Sequence, residues 1–403
     1  MLNALHRPEL DQRTEDMKTV TALLAAATPR GVREMGAVER REAIIVGAGQ
    51  AGLSTAYELR RQGVDCVVLE SQPRVGDQWR RRWDSLQLFT PARLSGLPGF
   101  RFPAPDMSYP SKDQMADFLE SYVRAAALPV RTGSKALSMH RSNDGYVINT
   151  AAGSYMARHV VIATGYAGPQ TPSLAGELAP TISQLHAYDY RNPTQLVGDV
   201  LVVGGGTSGV EIAVEAAKAG HRTLLSGRST GEIPSIAYDA FGGRIFWFFA
   251  TRIASVRTPI GRRMRQQLLN HGMPLIRWHL ADAVAAGVER RQRVSTVRDG
   301  MPVFEDGTSA EPDTVVWCTG FSHDYSWIQF PIPHEDGLPR HRDGMVEGDH
   351  GLYFVGLPFQ TRLASALIGG AGIDAKLVAR VIATRINRTS APRAIPRLIR
   401  VRR

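Results

Sequence analysis

The chain has 403 residues, 43% hydrophobic and 21% charged, which is enough apolar material for more than one core and argues against an unfolded polar chain. Its 48 basic and 38 acidic residues give a formal charge of +10. Much of the excess gathers in short clusters (Arg80–Arg82, Arg262–Arg263, Arg393–Arg403) that read as solvated faces, and with no recognisable motif they exclude a nucleic-acid partner. Cys66 and Cys318 lie far apart in apolar runs with neither a C-x-x-C nor a zinc spacing, so no disulfide framework and no metal site is expected.

Residues 1–40 carry one helix-like run, Val20–Ala27, ended by Pro29 and Gly31, and read as a peripheral extension. No charged segment there leads into an unbroken apolar stretch. The most apolar later segment, Phe241–Val256, holds Arg244 and Arg252 and falls short of the ~20 predominantly apolar residues of a spanning helix. A cytoplasmic protein without a transmembrane segment is expected. The aromatics of that segment (Phe241, Phe246, Trp247, Phe248, Phe249) suit core packing, a pocket wall or a membrane-surface contact.

The first strong signal is an apolar run, Glu42–Val46, feeding Gly47-Ala48-Gly49-Gln50-Ala51-Gly52 and then a helix, Leu53–Gln62, ended by Gly63. In such a fingerprint the first glycine makes the tight turn, the second admits a pyrophosphate to the backbone, and the third lets helix and strand pack closely. The phosphates meet a helix N-terminus. A second strand, Asp65–Glu70, ends in an acid 18 positions after Gly52, close to the spacing for a carboxylate on an adenosine 2′-hydroxyl.

After Pro110, Ser111 and Gln114 form a capping-box signal, followed by Met115, Phe118, Leu119, Tyr122 and Val123 at helical spacing. Val147–Thr150 and Met156–Ile162 read as strands, the latter running into Ala163-Thr164-Gly165. Then Asp199–Val203 feeds a second fingerprint, Gly204-Gly205-Gly206-Thr207-Ser208-Gly209. Where the first had an acid, this one reaches Ser226-Gly227-Arg228, a hydroxyl and a planar guanidinium suited to a 2′-phosphate. Thr314–Trp317 runs into Cys318-Thr319-Gly320, matching the exit at Gly165. The reading is therefore an α/β chain with two Rossmann-like dinucleotide-binding domains, the second inserted into the first. The boundaries are 41–168 with 315–385 for the outer domain and 169–314 for the inner one, with a substrate-pocket insert at 232–285 and a basic tail at 386–403.

Together these residues resemble the class B flavin-dependent monooxygenases, in particular the bacterial K+-transport-flavoprotein-like and plant YUCCA-like branch. The resemblance runs from Glu42 to about Ala383 and includes Gly76-Asp77-Gln78-Trp79, Trp83–Pro91, Ala163–Gly165, Cys318–Phe321 and Gly351–Gly356 leading to Ala366–Asp374. It implies FAD on the first fingerprint and NADPH on the second, with O2 and a small organic molecule as substrates, a C4a-(hydro)peroxyflavin and a pocket kept dry. A homodimer stays open. Gln78, Trp79, Thr164, Gly165, Thr319, Gly320 and Gly370 join the fingerprint residues, Glu70, Ser226 and Arg228 as cofactor contacts. Trp79, Phe89, Thr90 and His186 are the catalytic candidates.

Two departures accompany the resemblance. The family's identifying segment is represented by Pro180–Tyr190, which keeps His186 and Tyr190 but lacks the Phe and Gly, and Phe89 stands where animal-type members have Asn. By the same resemblance Tyr190 favours heteroatom oxygenation over Baeyer–Villiger oxidation, and a nitrogen, sulfur or α-keto acid acceptor is expected. A pyridine-nucleotide disulfide reductase needs a redox cysteine pair that the chain lacks, and an NADPH-flavin redox protein without oxygenation is the non-enzyme rival.

Overall fold

The computed structural model describes residues 38–234, 242–335 and 337–390. The extension before residue 38 with its Val20–Ala27 run, Phe241 and the tail beyond residue 390 lie outside the described residues.

Two sheets organise the chain. The first takes β1 (Glu39–Val46), β2 (Cys66–Leu69), β3 (Val130–Arg131), β4 (Ala136–Ser142), β5 (Gly145–Thr150) and β6 (Gly153–Ile162), and is completed after a long excursion by β18 (His341–Arg342), β19 (Met345–Val346) and β20 (Leu352–Phe354). Its centre, β20-β6-β1-β2-β3, is parallel, with Ile45 opposite Val68 on one side and Val161 on the other. The excursion holds the second sheet, β8 (Ser183–His186), β9 (Val200–Val203), β10 (Thr223–Ser226), β11 (Glu289–Arg291) and β14 (Thr314–Trp317), in the order β11-β10-β9-β14-β8 and parallel throughout. Every residue of β9, β10 and β14 is buried, as expected of parallel strands covered on both faces. The fold is thus α/β with two Rossmann-like units.

Local chemistry explains the elements. Ser111 accepts from the Gln114 amide at 3.2 Å while the Gln114 side chain accepts from the Ser111 amide at 2.9 Å, so the foreseen capping box opens the helix Lys112–Ala125. That helix, the first-fingerprint helix Gln50–Arg61 and the last helix Ile368–Ser390 seal one face of the first sheet around Leu53, Leu59, Met115, Leu119, Val378 and Ile382. Gly369, Gly370 and Gly372 permit this. A β-carbon at those positions would lie 2.3 Å from the Leu94 carbonyl oxygen, 1.9 Å from that of Ala364 and 2.7 Å from the Pro98 ring.

The two crossings between the sheets brace each other. β7 (Gly168–Pro169) on the outward strand of chain pairs antiparallel with β15 (Phe321–Ser322) on the return, and the Gln170 amide donates to the Gly320 carbonyl at 3.0 Å. Trp83 departs from the expected boundaries: although it precedes the excursion, it is buried in the core of the second sheet with Ala187, Tyr190 and Val210, and the Asp84 amide donates to the Arg191 carbonyl.

Candidate functional site

The fingerprints behave alike atom by atom. Gly47 and Gly204 have φ of +106° and +126°, and β-carbons there would meet the Ala163 and Cys318 carbonyl oxygens at 2.5 and 2.3 Å. A β-carbon on Gly52 or Gly209 would come within 1.8 or 1.7 Å of the Gly47 or Gly204 carbonyl oxygen. The middle glycines differ: Gly49 and Gly206 cap their helices in extended backbone, no side chain satisfies the first-turn amides, and a β-carbon would meet nothing within 4 Å. In each unit the first and third glycines are required by the protein and the second faces open space at a helix N-terminus, the place where pyrophosphate belongs. The residues present fit two dinucleotides.

Glu70 stands at the end of β2 as foreseen. Its carboxylate accepts from the Ala48 amide at 2.7 Å and the Gln72 amide at 2.8 Å, which fixes it beside the glycine turn with lone pairs left for ribose hydroxyls. Gln50 is half-buried and Ala51 buried on the first turn of the helix above it. At the second fingerprint Thr207 and Ser208 are half-buried on the corresponding turn. Arg228 is exposed beyond β10, with Glu305 3.6 Å from its guanidinium.

Ser226 needs correction. It is fully buried, donates to the Gln292 carbonyl at 2.7 Å and accepts from the Val294 amide at 3.1 Å, so its hydroxyl clasps the neighbouring loop and is spent there. A guanidinium that the sequence did not single out flanks the same turn: Arg290, in register with Leu225, donates to the Gly227 carbonyl at 2.9 Å, and its other terminal nitrogen is buried without a hydrogen-bond partner among the described residues. Its signal in the sequence was a second basic pair, Arg290-Arg291, at the end of a strand that had no clear hydrophobic period.

Between the units lie the other candidates. Gln78 is exposed and Trp79 half-buried on the short helix Asp77–Arg80, the indole packing against the first core. Phe89 joins an apolar cluster with Leu94, Phe246, Trp247, Phe249, Phe359 and Leu363, which brings part of the insert against the loop before the last helix. Phe248, in contrast, is 61% exposed. Thr164, Gly165 and Gly320 are exposed at the two crossings, and the Thr319 hydroxyl donates to the Gln170 carbonyl at 2.5 Å.

Three further expectations change. The Thr90 hydroxyl is buried against that of Ser95 at 2.9 Å inside the 90–95 turn, a structural tie and no ligand group. The Gly370 amide donates to the Leu367 carbonyl, so Gly370 serves close packing. Tyr190 is fully buried and donates to Glu215 at 3.0 Å, which makes it part of the second core with no face toward a substrate. His186, at the end of β8, is 6% exposed; its Nδ1 accepts from the Tyr188 amide at 3.0 Å, and Nε2 meets no hydrogen-bond partner among the described residues, with the Gly320 backbone near enough to favour the charged ring. Burial holds its imidazolium below the ordinary range, with Gly320 and Asp189 opposing, so the neutral ring carries its proton on Nε2.

Both thiols are free, and burial pushes Cys66 and Cys318 each up to about 12. Among the described residues no helix is long and apolar enough to cross a membrane, and no group of three or more His, Cys, Asp or Glu is placed to hold a metal ion.

Comparison with known proteins agrees with this arrangement. Residues 44–236 match the family model described as pyridine nucleotide-disulphide oxidoreductase. An uncharacterized CzcO-like oxidoreductase of Geobacillus kaustophilus is 36% identical over 339 residues, 83% of this chain and 96% of that protein. Indole-3-pyruvate monooxygenase YUCCA4 of Oryza sativa is 26% identical over 392 residues, 86% of this chain and 88% of that one. A flavin-containing monooxygenase from Stenotrophomonas maltophilia superposes with a TM-score of 0.72 at 24% identity, covering 87% of this chain and all of that one. With two glycine fingerprints at uncapped helix N-termini and a near full-length CzcO-like relative, the chain belongs to the class B flavin monooxygenase family.

Proposed function

We propose that the protein is an FAD- and NADPH-dependent monooxygenase that places one atom of O2 on a small organic substrate at nitrogen, sulfur or an α-keto acid. The observation that carries this reading is the pair of open middle glycines, Gly49 and Gly206, each at an uncapped helix N-terminus, with Glu70 behind one and Arg228 behind the other. The reaction balances with the organic substrate, NADPH, a proton and O2 giving the oxygenated product, NADP+ and water, with CO2 also leaving where an α-keto acid is the acceptor.

FAD, when bound, supplies hydride acceptance and oxygen transfer, and the protein supplies position and dryness. Gly47–Gly52 and Glu70 hold the flavin dinucleotide, and Gly204–Gly209 with Arg228 and Arg290 hold NADPH. Trp79 and Phe89, backed by Phe246, Trp247 and Phe359, keep water from the cleft. His186 stands neutral at the crossing beside Gly320, with an Nε2 donor free for a ligand oxygen. No thiol pair is required, and the two buried thiols are poor thiolates. The test is NADPH consumption across amine, sulfide, α-keto acid and ketone panels, read together with product mass. A lactone or ester from a ketone would move the assignment to Baeyer–Villiger oxidation.

A further inference from the structure

Arg80, Arg81 and Arg82 read in the sequence as one solvated run, but the fold separates them. Arg80 is tied to Asp77, Asp117 and Glu120, and Arg81 is exposed. Arg82 turns inward. Its guanidinium lies over the Phe321 ring, 5.0 Å from the centroid, without a hydrogen bond or carboxylate partner among the described residues. Burial weakens its hold on its proton; Tyr188 and Tyr166 oppose this, Arg191 adds to it, His186 lies within its field, and no carboxylate compensates.

The same ring of Phe321 is met by His186 at 5.4 Å, Tyr166 at 5.6 Å and Tyr188 at 6.3 Å. His186 is 94% buried with Nε2 unpartnered among the described residues, and the half-buried Arg82 guanidinium reaches the same aromatic ring where the chain re-enters from the second sheet. A cation–π contact offsets only part of the cost of withdrawing a guanidinium from water. A buried donor without an acceptor, beside a guanidinium without a carboxylate, suits an oxygen-rich anionic ligand.

Position says which ligand. The strand order reverses between β9 and β14, and a dinucleotide lies across that switch at the carboxyl ends of the strands. Arg228 and Arg290 stand at the β10–β11 flank and the helix N-terminus at Gly206 in the middle. The other flank is formed by Cys318–Gly320 and His186, the ends of β14 and β8. Arg82 approaches that flank on a strap whose Trp79 is packed in the first core and whose Trp83 is buried in the second.

We propose that Arg82 and His186 dock the nicotinamide mononucleotide half of NADPH through its phosphate and ribose oxygens, so that the bound coenzyme ties the two units together. The proposal rests on the reading of the second fingerprint as the NADPH site. It is tested by calorimetric titration of the oxidised, FAD-loaded enzyme with NADP+ and with 2′,5′-ADP, a probe that lacks the nicotinamide half. Arg82→Met should weaken NADP+ about 10- to 100-fold, the range of a lost charge-assisted hydrogen bond, and leave 2′,5′-ADP unchanged. Arg82→Lys should recover part of the loss. His186→Asn, which keeps an acceptor for the Tyr188 amide but shortens the donor, should weaken NADP+ alone. Arg228→Ala should weaken both ligands. Wild-type NADP+ affinity in Arg82→Met, or a proportional loss of 2′,5′-ADP, overturns the assignment. A wild type that binds neither probe overturns the NADPH reading itself and the proposal with it.

Discussion

Replacing Gly49 by Val separates ligand chemistry from folding more cleanly than any other single change. Gly49 has φ of −78° and ψ of −176°, extended backbone open to any residue, and a β-carbon there meets nothing within 4 Å. The added β-carbon therefore meets no clash or strain, and with the stiffer unfolded chain set against a poorer N-cap residue the apoprotein should change in stability by no more than about 1 kcal/mol. The flavin is another matter. The isopropyl group occupies the space in front of the first-turn amides of Gln50–Arg61, and losing one or two hydrogen bonds to a charged phosphate, at roughly 1.5–3 kcal/mol each, weakens FAD by about 10- to 10⁴-fold. The controls are its neighbours. Valine at Gly47, where φ is +106° and a carbonyl oxygen lies at 2.5 Å, or at Gly52, with one at 1.8 Å, should compromise the fold itself. Absorbance at 450 nm relative to 280 nm reads flavin content, and thermal unfolding of the deflavinated proteins reads the fold. A Gly49→Val protein with full flavin would refute the reasoning, as would one that unfolds like Gly52→Val.

Arg228→Ala should raise the KM for NADPH about 10-fold or more, leave that for NADH and the flavin content nearly unchanged, and alter kcat little, because a remote phosphate contact acts as uniform binding; steady-state kinetics with both coenzymes checks it. Glu211, almost fully buried on the second-fingerprint helix, is pushed up to about 7 by burial, with Arg277 opposing. Its folded-state pKa lies above the unfolded value of 4.5, so it costs no stability below about 4.5 and removes up to about 3 kcal/mol as pH rises to about 7 and beyond. Glu211→Gln should therefore raise the unfolding midpoint at pH 8 far more than at pH 5, and equal effects at both pH values count against a neutral buried carboxyl. Tyr190→Phe removes the bond to Glu215 and should lower stability by about 1–2 kcal/mol without changing the type of product; a switch from heteroatom to ketone oxidation would restore Tyr190 to the substrate site.

The parts of the molecule legible in the sequence were those where one residue type has one physical use. Glycine at Gly47, Gly52, Gly204 and Gly209 is demanded by backbone geometry, continuous apolar runs such as Val200–Val203 mark doubly covered strands, and Ser111 with Gln114 marks a helix start. Hydroxyls and aromatics were less legible, since the same side chain serves a ligand or its own backbone equally well. Ser226, Thr90 and Tyr190 all turned inward to local partners. Arg82 and Arg290 were hidden for the opposite reason: each sits in an arginine cluster whose members have different environments, and only the packing of β11 and of the Trp79–Trp83 strap distinguishes them. The insert at 232–285 carries aromatics that suit several surroundings, and their place became visible only through Phe246, Trp247 and Phe249 meeting Phe359 and Leu363 in one apolar cluster.

The central claim, that NADPH and O2 are spent to put one oxygen atom on an organic substrate, is met most directly by turnover under 18O2 with the product analysed by mass spectrometry. One 18O atom per product molecule and one NADPH consumed for each are expected. NADPH oxidation that ends only in hydrogen peroxide with every substrate class, or product oxygen drawn from water, would contradict it.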